Sequence, residues 1–423
     1  MSYKITIEKL LSVMQSNRML LELDRMMQYN DEVKIIHYYA KLRYLKEYTD
    51  GYSYKNLSAV SGLSFFSKEV ALLKCLMEAV ERFCVSTYRN ENIITGDFKH
   101  MSKLGSALNP SCVSKGYLQS ESLGWIRGTN ITENKECFIP AQLVYLYYKR
   151  QIDENFLTFP NITTGAAAGF DFESTLLRGI YEVIERDAIM GIYLNKISVP
   201  KLDLTTIKNA DVKELLAKCE RYKLEMNVFD ITTELGIPTI MAVLIDRTGV
   251  GPAITFGAKS SVDINEALLG AMTEPFLTRT WLRMELEKKN IKIPKRSQEI
   301  KSILDRGLFW SPPSMIKELD FLLKAKSVFF KNKSRVKKEK KSLAYVLQTL
   351  KNNGLTVFGA DITAPIFKEI GCVVYKVIIP NLQPLYLNEY EKKDVINKKR
   401  LESVQKFFGN NNTEFNNIPH PFL

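Results

Sequence analysis

Residues 74–82 read KCLMEAVER and residues 178–186 read RGIYEVIER. Both follow one pattern, Lys/Arg-x-x-x-Glu-x-x-Glu-Arg, and Glu78 and Glu182 stand 104 residues apart, as do Glu81 and Glu185. Positions i, i+4, i+7 and i+8 share one stripe of an α-helix. Around that stripe the first copy carries Leu72, Leu73, Leu76, Met77, Val80 and Phe83; the second carries Leu176, Leu177, Ile180, Val183 and Ile184. The spacing predicts two helices, about Lys68 to Val85 and Glu173 to Tyr193, each apolar on most sides with a narrow charged seam. One such copy alone would read as a solvated helix face laced by ion pairs. Two matched copies in apolar surroundings read as an internal repeat that carries chemistry.

Two carboxylates one turn apart in a partly buried seam repel, and their desolvation is costly unless cations compensate. The four glutamates, Glu78, Glu81, Glu182 and Glu185, therefore point to Mg2+, which binds through few carboxylates and commonly shares phosphate oxygens. The flanking Lys74, Arg82, Arg178 and Arg186 suit phosphate neutralisation or pairing with those glutamates. The second helix follows TTGAAAGF (163–170), a small-residue loop. It is not a P-loop, because no Gly-Lys-Ser/Thr follows.

Working outward, 423 residues with 45% apolar and 25% charged side chains make an ordinary globular chain, long enough for a core without disulfides or structural metal. No run approaches the roughly 18 apolar residues of a membrane helix. The start, MSYKITIEKLLSVM, lacks a signal-peptide h-region, so a cytoplasmic protein is expected. Six scattered cysteines and three histidines exclude a disulfide framework and the usual zinc spacings. The net charge of +12 is concentrated: Lys324 to Lys341 holds nine basic residues and one acidic, a net +8. About +4 remains for the rest of the chain, which argues against a nucleic-acid surface. The basic segment reads as a solvated insertion or a docking patch for an acidic partner.

Residues 1–55 show helical periodicity (Ile5, Leu10, Leu11, Met14; then Val33, Ile36, Tyr39, Leu42) and read as a helical N-terminal segment. DGYSYKNLSAVSGLSFFS (50–67) reads as strand and loop. EMNVFDI (225–231), IPTIMAVLID (237–246), TVFGADI (356–362) and CVVYKVIIP (372–380) read as strands, and EALLGAMTEPFLTRTWLRMELEKK (266–289) as one long helix. The irregular alternation predicts an α+β fold of mixed helices and strands built around the repeated ExxER helix. A single catalytic domain is expected over 56–423, carrying the basic insertion 324–341 and a proline-rich tail, 419–423.

These residues also resemble the YcaO family of ATP-dependent enzymes that activate peptide backbone amides. The resemblance runs from about Ser58 through SGLSFFSKEVALLKCLMEAVERFC, GWIRGTN, IPAQLV, TTGAAAGFDFESTLLRGIYEVIERDA, NVFDITTELGIP, INEALLGAMTE, FGADIT and IIPNLQPLY, in the family's order. The closing PHPFL is similar to the tail of the azoline-forming branch, with Leu423 in place of the usual final proline. The resemblance implies a YcaO-like fold and a site for ATP and Mg2+ between the two ExxER helices, with the four glutamates on the metal and Arg186 and Arg279 on phosphates. Lys74 stands where some members carry Ser. Phe170 and Ser174 stand where the family often has Asn and Glu, and Ser174 is carried as a cofactor-side position.

The chemistry so implied is that of a cyclodehydratase subunit. A Cys, Ser or Thr side chain of a ribosomally made precursor peptide attacks the preceding amide carbonyl; the amide oxygen takes the γ-phosphoryl group and leaves as phosphate. A thiazoline or oxazoline ring remains. Pro421, His420 and Leu423 are the catalytic candidates of the tail: prolines at 419 and 421 stiffen it for insertion into a groove, the terminal carboxylate accepts the proton, and His420 is a second proton carrier. With no room before residue 50 for a fused peptide-binding domain, a separate leader-peptide-binding partner protein is expected; a homodimer is left open, and neither nucleic acid nor membrane is expected as a partner. The alternatives are a backbone thioamide-forming relative and a catalytically degenerate peptide-binding scaffold.

Overall fold

The computed structural model describes residues 3–43, 45–51, 59–330, 342–412 and 414–423. The chain opens with helix α1 (Tyr3–Ser16) and strands β1 (Leu20–Arg25), β2 (Ile36–Leu42) and β3 (Val60–Ser64), followed by helix α2 (Lys68–Val85). Strand β4 (Ile94–Gly96), helix α3 (Phe98–Leu104) and strands β5 (Leu123–Asn130), β6 (Lys135–Pro140) and β7 (Ala166–Gly169) lead into helix α4 (Phe172–Leu194). Next come β8 (Lys201–Asp203), α5 (Ala210–Arg221), β9 (Leu224–Asp230), β10 (Thr239–Asp246) and β11 (Ile254–Ser260). Helices α6 (Ile264–Thr273), α7 (Pro275–Leu286) and α8 (Ile303–Phe309) precede strands β12 (Ser327–Phe329), β13 (Phe358–Asp361) and β14 (Val373–Ile378). The fold is α+β.

These elements gather into two units. The first comprises Met1–Met27, Ile35–Val183 and Ser342–Asn381. It holds a three-stranded antiparallel sheet, β1-β2-β3, and a second sheet in the order β4-β5-β13-β14-β7 with β6 on β5. Helix α2 starts at Ser67, whose hydroxyl accepts from the Val70 N–H and so caps an otherwise orphaned donor. Its buried face (Ala71, Cys75, Leu76, Ala79, Val80, Phe83) packs on β2, β3, β7, β14 and α1. The approach to β3 is backbone on backbone: a Cβ added at Gly62 would lie 2.2 Å from the Cys75 nitrogen and 2.3 Å from the Ala71 oxygen. Only glycine lets the strand run this close to the helix.

The second unit comprises Gln28–Lys34, Ile184–Lys341 and Leu382–Leu423. Its sheet runs β11-β10-β9-β8-β12. Every residue of β10 is buried, as befits an apolar run flanked by strands on both sides. Helix α6 packs on β10 and β11, and α7 on β11. The helix α4 is continuous through the point at which the chain passes from one unit to the other.

Two expectations are corrected here. Among the described residues of 1–55 the α-helix covers Tyr3–Ser16 and a single 3-10 turn Lys46–Tyr48; the stretch around Ile36, Tyr39 and Leu42 forms β2, because pairing with β1 and β3 overrides its weak helical period. Residues 266–289 are not one helix, because Pro275 cannot donate into the helix before it and instead starts α7. The basic insertion 324–341 lies outside the described residues from 331 onward, and Tyr52 to Ser58 of the loop before β3 do so as well.

Candidate functional site

In the first unit, α2 supplies Glu78 and Glu81, α4 supplies Glu182, and β14 supplies Lys376. The Ser61 N–H donates to Glu78 at 3.2 Å, and the Arg82 guanidinium one turn along lies 3.7 Å from the same carboxylate. The Gly165 N–H donates to Glu182 at 3.2 Å. Gly165 takes a left-handed φ of +85°, and a Cβ there would meet the Val377 oxygen at 2.2 Å, so the small-residue loop noted in the sequence is a geometric requirement. Glu81 makes no hydrogen bond or ion pair among the described residues.

The electrostatics follow from this crowding. Burial, with the Glu182 charge adding to it, raises the Glu78 carboxyl above the usual range, against the pull of Arg82 and the Ser61 N–H. Solvent still reaches Glu78, whose side chain is 36% exposed, so the surrounding protein raises the cost of charge without sealing it. Glu81 is pushed well above the usual range, first by burial and then by Glu182 and Glu78; Arg82 and Lys376 oppose the shift. Burial pulls the Lys376 ammonium down to about 8, although Glu182 and Glu81 favour its charge. Lys376 was not singled out from the sequence. It hides in the apolar run VVYKVI, and only its Coulombic partners on α2 and α4 reveal it.

Hard carboxylate oxygens that repel one another suit a hard divalent cation. Among the described residues no group of three or more His, Cys, Asp or Glu side chains closes into a ready-made metal cage. Mg2+ takes one or two carboxylates and completes its sphere with phosphate and water. The donor set therefore fits a Mg2+–phosphate ligand.

Glu185 and Arg186 belong to the second unit. Glu185 is 4% exposed, accepts from the Ser260 N–H at 3.1 Å and pairs with Arg186 at 3.2 Å. Lys74 is exposed and donates to the Leu63 carbonyl; Arg178, also exposed, donates to the Ala168 carbonyl at 2.8 Å and so ties α4 to strand β7. Ser174 is exposed in the first turn of α4, where its N–H donates to Asp171. The expectation for Arg279 is corrected. Its guanidinium is 3% exposed and is taken up by Glu32 at 2.7 and 2.9 Å, Asp246 at 2.8 Å and the Pro252 carbonyl. An arginine with its donors spent on buried carboxylates is a strut rather than a phosphate ligand.

The tail is seated within the second unit. The Pro419 carbonyl accepts from Tyr193 at 3.1 Å and Trp310 at 2.9 Å, and the His420 carbonyl accepts from Arg306 at 2.9 Å. Phe422 is buried, its ring 4.9 Å from that of Phe256. His420 is corrected as a proton carrier: it is fully buried, its Nε2 lies against the Tyr386 carbonyl, and burial with nearby Arg306 holds it well below the usual histidine range. It stays neutral and packs. Pro421 is buried beside it, and Leu423 is half-buried, close to Gly307.

With this geometry in hand, comparison with known proteins is direct. The family model described as YcaO cyclodehydratase, ATP- and Mg2+-binding, matches residues 65–383. An uncharacterised protein of Methanothermobacter thermautotrophicus is 26% identical over 320 residues, 74% of this chain and 79% of that protein. A heterocyclase solved in complex with substrate and cofactor superposes with a TM-score of 0.72 at 20% identity; 98% of this chain is covered, and the chain spans 57% of the heterocyclase's length. YcaO from Methanopyrus kandleri, solved with AMPPCP and Mg2+, gives 0.65 at 18% identity and covers 90% of this chain and 91% of its own. The Escherichia coli microcin synthetase McbBCD complex gives 0.56 at 12% identity and covers 84% of this chain and 86% of that one. At these identities the structural likeness is one of fold.

Proposed function

From the premise that this chain belongs to the YcaO family, whose cofactors are ATP and Mg2+, we propose that it is an ATP-dependent cyclodehydratase subunit forming thiazoline or oxazoline rings in a ribosomally made precursor peptide. The observation that carries the reading is the carboxylate group on the repeated helices: the Glu182 charge adds to the cost of ionising Glu78, Glu182 and Glu78 add to that of Glu81, and Arg82 and Lys376 are nearby cations. Such a group is costly in the free protein and is relieved by a divalent cation with its phosphates.

Glu78, Glu81 and Glu182 of the first unit would hold Mg2+. Bound ATP supplies the phosphoryl group that makes a backbone amide oxygen able to leave, while Mg2+ offsets the charge on the phosphates. The chain's part is positional. The Ser61 and Gly165 N–H groups fix Glu78 and Glu182, and the capped α2 fixes the spacing of Glu78 and Glu81. Tyr193, Trp310 and Arg306 fix the main chain of residues 419–420, which aligns the rest of the tail beside α8. A precursor peptide and a separate leader-peptide-binding protein complete the proposed reaction system.

The test incubates the full chain with ATP, Mg2+, candidate peptide and partner, and reads the product mass. Loss of one water per modified residue supports ring formation. Exchange of one oxygen for sulfur points to thioamide formation, and unchanged peptide without ATP consumption points to a scaffold. Deleting residues 419–423 is expected to leave nucleotide binding intact and to abolish ring closure; undiminished ring formation would remove the tail from the mechanism.

A further inference from the structure

We propose that Lys376 is the resident counter-ion of the carboxylate group: a positioning residue whose fixed positive charge keeps a free divalent cation weakly bound, so that metal enters together with nucleotide phosphates. The inference rests on the reading of Glu81 and Glu182 as metal-side carboxylates. Lys376 is 3% exposed on β14, a strand packed on α2, which carries Glu81. Its Nζ donates to the carbonyls of Ile162 at 2.9 Å and Thr164 at 2.6 Å. An ammonium has three donors, and the third has no hydrogen-bond acceptor among the described residues.

The lysine cannot swing away from the group it neutralises. The adjacent Val377 N–H donates to the Gly165 oxygen at 2.7 Å, and the Gly165 N–H in turn donates to Glu182. Residues 162–165, Glu182 and Lys376 thus form one hydrogen-bonded unit. A buried cation whose field reaches Glu182 and Glu81 lowers their attraction for a second cation, since like charges in protein repel. A lone Mg2+ arrives against that repulsion. A Mg2+ carrying anionic phosphates does not, and the unspent Lys376 donor is then available to an anion.

The experiment titrates Mn2+ alone, followed by its EPR signal, into wild-type protein, Lys376→Met, Lys376→Arg and Lys376→Met/Glu182→Gln. Folding of each is checked by circular dichroism, and stability is measured in EDTA for Lys376→Met, Glu81→Gln and the double variant. Lys376→Met is expected to bind Mn2+ at least about tenfold more tightly than wild type, with Lys376→Arg close to wild type. The stability lost in Lys376→Met is expected to shrink when Glu81→Gln is also present, because the charge in need of compensation has gone. Folded Lys376→Met that binds Mn2+ no more tightly than wild type, with the residual binding lost on Glu182→Gln, overturns the counter-ion role alone. Mn2+ binding that survives Glu182→Gln overturns the carboxylate site itself and this inference with it. If Lys376→Met does not fold, rescue by Glu81→Gln supports the role and failure of rescue overturns it.

Discussion

Replacing Glu81 by glutamine is expected to raise the stability of the nucleotide-free protein while weakening its hold on a Mg2+–nucleotide complex. Glu81 is the most strongly perturbed of the carboxylates and has no hydrogen-bond donor or ion-pair partner among the described residues. It sits three residues from Glu78 on α2, which places the two Cβ atoms about 6 Å apart. Two like charges at about 6 Å with an effective dielectric near 20 repel by about 3 kcal/mol; partial access of water reduces this to about 1 kcal/mol. Glutamine keeps the shape and removes the charge. A gain of about 1 kcal/mol corresponds to about 2–4 °C in the melting temperature of a unit this size.

The sign with pH is determined. A carboxyl raised in the folded state contributes stability that is complete below its unfolded value of 4.5 and is lost as pH rises through the folded value. The gain from Glu81→Gln is therefore absent near pH 4 and larger at pH 7.5. Thermal melts in EDTA at both values measure it, and calorimetric titration with Mg2+ and a non-hydrolysable ATP analogue is expected to show at least about a tenfold loss of affinity. A variant that melts lower than wild type at pH 7.5, or that gains equally at pH 4, would refute the account of Glu81 as a charge that Arg82 and Lys376 only partly compensate.

Two further outcomes are expected. His37 on β2 is 1% exposed with neither ring nitrogen hydrogen-bonded, and burial lowers it to about 4, so the stability it leaves intact above its unfolded value of 6.5 is lost as pH falls toward 4, by about 3 kcal/mol; His37→Leu is expected to flatten that part of the acid loss in urea titrations at pH 7.5 and 4.5, and an unchanged acid slope would count against it. Gly62→Ala places a methyl group against the backbone of Cys75 and Ala71, which forces β3 off α2, costs about 3 kcal/mol or more and detaches the Ser61 N–H from Glu78; an unchanged melting temperature would show that the strand has room to move.

Much of this was legible in the chain itself. The two ExxER seams specify α2 and α4 because a 3.6-residue period in apolar surroundings has one good solution, and the apolar β-branched run at 237–246 specifies a central strand. The order of motifs was enough to place the family. Other features came only from pairing between distant residues. Strand β2 exists because β1 and β3 flank it, and Arg279 is spent on Glu32, 247 residues away in sequence, so no local pattern could separate it from a phosphate ligand. His420 reads as a proton carrier in isolation and becomes an inert packing residue once burial holds it neutral. Lys376 is hidden in the core-strand run VVYKVI and acts on Glu81 and Glu182 only once the fold packs β14 on α2. Periodicity and turn chemistry act over a few residues, so a sequence determines its helices and the faces they present. Burial and charge compensation are set by whichever groups the fold brings together, and those only the tertiary structure decides.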